Sequence, residues 1–142
     1  MEPTGLATSL ARGRIAIGAA ALAAPGLAGR VMLGRDGSRP GVEALMRMIG
    51  GRDLVLGLGV MIALDRGAPV RGWLEACAVA DTVDLVACTL ARDEIPSASY
   101  VTTVALAGGA ALAGLWLSRR LDPPPAAEPG HPEAIATGHL AP

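Results

Sequence analysis

The sequence predicts an all-α fold: an integral membrane, antiparallel four-helix bundle followed by a disordered C-terminal tail. Three observations predict it. Four apolar segments of near-spanning length, at 15–33, 42–64, 73–91 and 100–117, are separated by short polar connectors. The apolar content, 51% of 142 residues, is mainly Ala, Leu and Val, with no Phe, one Tyr and two Trp. A soluble core of this size normally recruits several aromatics for the area they bury, whereas small residues let membrane helices approach closely. Finally, beyond Leu121 the composition turns to Pro, Ala and Gly, with too little apolar side chain to order a segment.

The elements follow in order. Residues 1–14 are small and polar and end in "ARGR". The first span, "IAIGAAALAAPGLAGRVML", carries Pro25 in its middle, which spanning helices tolerate when neighbours satisfy the freed carbonyl, and Arg30, which can snorkel to the interface. Arg12 and Arg14 ahead of a short apolar stretch also fit a secretory signal peptide, but the apolar pattern continues well past Ala24. "GRDGSRPG" makes the first connector. In the second segment the unbroken apolar run is Leu54 to Leu64, about 16 Å of helix, too short to cross alone. A crossing there takes Glu43, Arg47, Arg52 and Asp53 with it. "DRGAPVRG" leads to the third segment, "WLEACAVADTVDLVACTLA", with Glu75, Asp81 and Asp84 inside. "RDEIPSAS" leads to the fourth and most apolar span, which closes with Arg119 and Arg120. His131 and His139 fall in the tail at 122–142, where neither is a candidate ligand.

The charges decide what kind of bundle this is. In the third segment Cys77, Asp81, Asp84 and Cys88 are spaced by four, three and four, which places them on one helix face. A charged side chain at the bilayer centre costs on the order of 3 kcal/mol on insertion scales, so two acids on one face need cationic partners inside the bundle. The connector before this helix centres near Ala68, so Arg52 and Asp84 each lie sixteen residues from the turn, and Asp81 thirteen. In an antiparallel hairpin equal counts mean equal depth. The candidate polar site is therefore Arg52, Asp53, Asp81 and Asp84, with Arg47 serving from a turn further out. Gly50, Gly51, Gly57 and Gly59 would let the backbones close around it, and Gly108 and Gly109 would pack the fourth helix. Arg–Asp pairs in such bundles can also do nothing beyond fixing helix register, since buried pairs add little net stability.

Other chemistries find little support. The net charge of −1, with Arg as the only cationic side chain, makes no electrostatic case for nucleic acid. Cys77 and Cys88 are eleven residues apart, about 16 Å along a helix, against the 7 Å or so that a disulfide spans. No C-x-x-C occurs, and no metal site or cofactor is identified. "GLGVMI" lacks the third glycine of a dinucleotide fingerprint. Arginines at the two ends of the bundle differ slightly in number, favouring cytoplasmic N- and C-termini.

"RMIGGRDLVLGLG" (47–59) followed by "ADTVDLVA" (80–87) resembles a group of small four-helix membrane proteins common in actinobacteria, the uncharacterised family known as domain of unknown function 4267. The resemblance covers about Arg12 to Leu121, and its specific part is Gly51, Arg52, Asp53, Asp81 and Asp84. It implies a distant likeness to the DoxX-like membrane bundles, some linked to quinone or thiol redox work. No activity comes with it, and this chain lacks the paired cysteines that thiol chemistry needs.

Function is thus expected from two classes. One is a non-enzymatic bundle in the cell membrane that binds a membrane partner or itself, since no nucleophile–base set is visible. The other is a lipid- or quinone-binding redox accessory, or a proton-coupled transporter, built on the Arg–Asp cluster. A soluble all-helical protein would instead stay in the supernatant when membranes are pelleted.

Overall fold

The computed structural model describes residues 2–122; the expected tail, with His131 and His139, lies outside the described residues. Five α-helices run along the chain: α1 (Pro3–Ala23), α2 (Pro25–Leu33), α3 (Pro40–Asp65), α4 (Arg71–Leu90) and α5 (Ser97–Leu121). Short 3₁₀ turns at Gly34–Ser38 and Arg92–Glu94 complete the path, and no strand occurs among the described residues.

The helix count departs from the expected four because of Pro25. Proline lacks the N–H that would continue the ladder and clashes with the preceding turn. Ala24 accordingly leaves helical geometry at φ −135°, ψ 61°, and Pro25 opens α2 at a position where its missing N–H costs nothing. The N-terminus departs too. The residues read as a polar lead-in are helical from Pro3, with the hydroxyls of Thr8 and Ser9 returned to the carbonyls of Thr4 and Gly5. Prolines also sit in the first turns of α1 and α3.

α1 packs along α3, and α4 along α5; the α3–α4 and α1–α5 interfaces are thinner. The molecule is thus two helical hairpins laid side by side. At the end where α1 starts, Ala7, Ala11, Val60, Ala63, Val70, Leu74, Cys77 and Leu117 form the buried apolar core. That end is closed by Asp122, whose carboxylate accepts hydrogen bonds from the backbone N–H of Val70 and, at 2.6 Å, of Arg71. A residue beyond α5 thereby caps the start of α4. Gly67 makes the α3–α4 turn in the left-handed region at φ +59°, open to glycine without strain. At the other end Ser99 Oγ donates to the Val31 carbonyl at 2.8 Å.

Small residues set the spacing, though not all those expected. A Cβ on Gly50 would lie 2.7 Å from the Gly18 carbonyl oxygen, and one on Gly57 2.7 Å from Ile15 Cγ1, so both bring α1 against α3. Gly59 receives the ring of Trp73 from α4, and Gly114 sits under Leu74 and Ala78. Gly51 and Gly109 meet nothing within 4 Å, and Gly108 meets only Leu85 at that distance. Gly51 and Gly109 were expected to pack and do not, because their faces of α3 and α5 turn away from the neighbouring helix, while Gly108 touches α4 only through the tip of Leu85.

Outside, the surface is apolar. Ile17, Leu27, Met48, Val83, Leu106 and Leu112 are each more than half exposed, while Asp53 and Asp81 are buried. Such an inversion is the arrangement expected of helices facing hydrocarbon.

The glycine assignments give a paired prediction. Gly50→Ala should lower stability by about 1–3 kcal/mol through overpacking against α1. Gly51→Ala should be neutral or gain up to about 1 kcal/mol of helix propensity. Thermal unfolding followed by circular dichroism in detergent checks both.

Candidate functional site: an ion-pair network at mid-depth

Five charged residues from three helices form one alternating chain: Asp81, Arg14, Asp53, Arg52 and Asp84. Each stands near the middle of its helix, at Arg14 in α1, Arg52 and Asp53 in α3, and Asp81 and Asp84 in α4.

Arg14 reaches across the molecule. Its Nη2 donates to both carboxylate oxygens of Asp81, at 2.6 and 2.5 Å, and its Nη1 to Asp53 Oδ1 at 2.9 Å. Arg52 makes a two-pronged pair with Asp84, Nη1 to Oδ1 at 2.9 Å and Nη2 to Oδ2 at 2.7 Å. The same guanidinium also donates to Asp53 Oδ1 through Nε at 3.2 Å and Nη2 at 3.0 Å. One oxygen of Asp53 is therefore shared by both arginines, and the two ion pairs become a single network. Forked guanidinium–carboxylate contacts of this kind fix geometry as well as charge.

Burial is graded along the chain. The side chains of Arg14, Asp53 and Asp81 keep 11%, 12% and 9% of their exposure, whereas Arg52 and Asp84 each keep 31%. The Arg52–Asp84 end opens into the thin α3–α4 interface. Toward the α3–α4 turn lies a groove of about 440 Å³, lined by the apolar Val55, Leu58, Gly59, Ile62 and Trp73 and by the charged Arg66.

The expected pairing of Arg52 with Asp84 at equal depth is present, although α3 and α4 are not tightly packed; two long side chains bridge the gap. Asp53 and Asp81 join the network as well. Arg47 does not. It is exposed and lies 3.8 Å from Glu43, one turn back on its own helix. Its place is taken by Arg14, a residue assigned by sequence to the polar lead-in. The signal for it was present: Ala7, Ala11, Gly18 and Ala21 are the buried positions of α1, and Arg14 falls between them at four- and three-residue steps. With Arg14 interior and Arg47 out of the network, the arginines at the two ends no longer favour either orientation. Glu75 pairs with Arg71 at 2.7 Å near the start of α4, away from the network. Both cysteines are free thiols, Cys77 within the apolar core and Cys88 half-buried.

Chemically, the network's members hydrogen-bond only to one another among the described residues. Among the described residues no hydroxyl or thiol hydrogen-bonds to one of its carboxylates, although Cys77 stands one turn from Asp81 on the same buried face of α4. Three carboxylates face two guanidiniums, leaving one formal negative charge uncompensated. Comparison with protein-family models, with curated proteins and with solved structures finds no match to this chain.

Removing one partner of a buried pair leaves the other charge unmet. Arg14→Ala should therefore cost about 3–5 kcal/mol, because Asp81 loses the only cation that meets it among the described residues. Arg47→Ala should change stability by less than about 1 kcal/mol, as exposed pairs do. Unfolding of the two variants, side by side in the same detergent, distinguishes a buried Arg14 from a surface one.

Proposed function

We propose that this chain is a small multi-pass protein of the cell membrane that works as a non-enzymatic binding module. On this reading its helices cross the bilayer as an antiparallel bundle, with α1 and α2 forming one broken leg. The Asp81–Arg14–Asp53–Arg52–Asp84 network would hold the legs in register at the membrane mid-plane. The observation that carries this reading is the inverted surface, with exposed Leu, Ile and Val outside and paired charges within. Support also comes from α1 and α5, both long and apolar enough to cross a membrane. The resemblance to the domain of unknown function 4267 bundles points the same way and assigns no activity. The up-and-down order would put both termini on one side of the membrane.

A second reading, a lipid- or quinone-binding or proton-coupled site, draws on one observation: the network's uncompensated carboxylate charge reaches a partly open position at Asp84. pH-dependent flux in vesicles containing the protein would favour it.

Under the membrane reading, the protein remains in the pellet after alkaline washing of membranes. Release into the supernatant would refute that reading. The charge exchange Arg52→Asp with Asp84→Arg should recover most of the expression lost by either single substitution, measured in the membrane fraction. Failure of both singles with no recovery in the pair would point to a role for these side chains beyond pairing.

A further inference from the structure

The groove between α3 and α4 changes polarity along its length. Val55, Leu58, Gly59, Ile62 and Ala63 line it from α3, and Trp73 lines it from α4. At the turn end it is bounded by Ala68, Pro69 and Arg66, the residue that ends α3 and the one charged lining residue among those described. Gly59 shapes the wall, since the ring of Trp73 occupies the space a Cβ would take. The apolar side chains are open to the outside: Val55, Leu58, Ile62 and Trp73 keep between 39% and 60% of their exposure.

Arg66 is exposed and makes no ion pair among the described residues. The acids at this end are engaged or placed elsewhere. Glu75 pairs with Arg71, and the Asp122 carboxylate accepts from the backbone N–H groups of Val70 and Arg71. Asp65 is exposed and does not line the groove. The groove therefore ends in an unmet cation, beside a tryptophan of the kind that collects at membrane–water interfaces. Its length narrows the occupant. Val55 and Arg66 are eleven residues apart, about 16 Å of helix, close to half of a hydrocarbon core about 30 Å thick. A partner's spanning helix crosses the whole core and would be matched over only half its length. An acyl chain of one leaflet is matched end to end, and its phosphate then falls where the guanidinium stands. Guanidinium and phosphate are well suited to pair.

We infer that the α3–α4 groove binds an anionic phospholipid of the bilayer, with one acyl chain along Val55, Leu58, Ile62 and Trp73 and the phosphate on Arg66. The inference rests on the membrane reading above and gives the binding module a lipid as its ligand. The site is separate from the ion-pair network, none of whose residues lines the groove. Charge selects the headgroup: a zwitterionic lipid fills the groove equally well but brings its own cation to Arg66.

The experiment is native mass spectrometry of full-length protein, stripped of lipid in detergent and then offered equal amounts of phosphatidylglycerol and phosphatidylcholine. The parent should retain phosphatidylglycerol about fivefold over phosphatidylcholine, the preference one arginine gives at an anionic surface. Arg66→Gln should bring that ratio close to one, and Arg66→Lys should keep it. Ile62→Trp, which fills the groove, should lower retention of both lipids. Arg119→Gln, at the same end of the molecule but on α5, should leave the ratio unchanged. Alkaline washing of membranes is run on every variant. Protein that stays in the membrane but shows no preference, keeps its preference in Arg66→Gln, or loses it equally in Arg119→Gln overturns the inference and leaves the membrane reading standing. Equal retention of glycerol 3-phosphate, a headgroup without a chain, overturns it as well. Protein that washes out of the membrane overturns both.

Discussion

The arrangement depends on Arg14. Its guanidinium, like that of Arg52, meets a carboxylate in each hairpin, Asp53 of α3 on one side and Asp81 of α4 on the other, and among the described residues it alone pairs with the more buried Asp81. Remove it, and the deepest acid of α4 has no cation while Asp53 keeps only Arg52. A buried charge without a partner costs several kcal/mol, whereas a fully paired one roughly balances its own desolvation. The network therefore adds little to stability as a sum of contacts. It acts by making every other register of the two hairpins expensive, which is a statement about specificity. Small side chains make that register possible. Gly18, Gly50 and Gly57 bring α1 close enough to α3 for Arg14 to pass through the interior instead of being shouldered outward.

Packing is uneven in a way that follows from this. Within each hairpin the helices touch closely through glycine and alanine, while the seam between hairpins has its apolar core at one end and ion pairs at mid-depth. The seam is thin at both α3–α4 and α1–α5, and on the α3–α4 side the network is most exposed and a groove lies open nearer the turn. A molecule packed uniformly would have neither the groove nor the half-open Arg52–Asp84 pair. Both features follow from joining two tight hairpins through long charged side chains.

Much of this was legible in the residues. The four-three-four spacing of Cys77, Asp81, Asp84 and Cys88 fixed the shared face of the two α4 acids, and counting outward from the turn near Ala68 matched Arg52 to Asp84. Both inferences use only helix geometry, which survives ignorance of the packing. The glycines read less well. Whether a glycine marks a close approach depends on its angular position, and neighbours such as Gly50 and Gly51 point to faces about 100° apart. Arg14 was missed because hydropathy assigns arginines before an apolar run to the membrane edge; the helical stripe of Ala7, Ala11, Gly18 and Ala21 places it inside. Arg47 was included on depth alone, without its face, and depth without face is half of an argument. The break at Pro25 was visible as a residue, but whether a proline kinks a helix or divides it depends on what its neighbours supply.

The central claim is that Arg14 and Asp81 are coupled across the hairpin seam, and a double-mutant cycle tests it most directly. Arg14→Ala, Asp81→Ala and the double variant are compared with the parent by reversible unfolding in a lipid-like micelle. The account predicts a coupling energy in the range of about 0.5–3 kcal/mol, with the double variant less destabilised than the sum of the singles. Additive effects, with Arg14→Ala costing no more than an exposed arginine does, would contradict it.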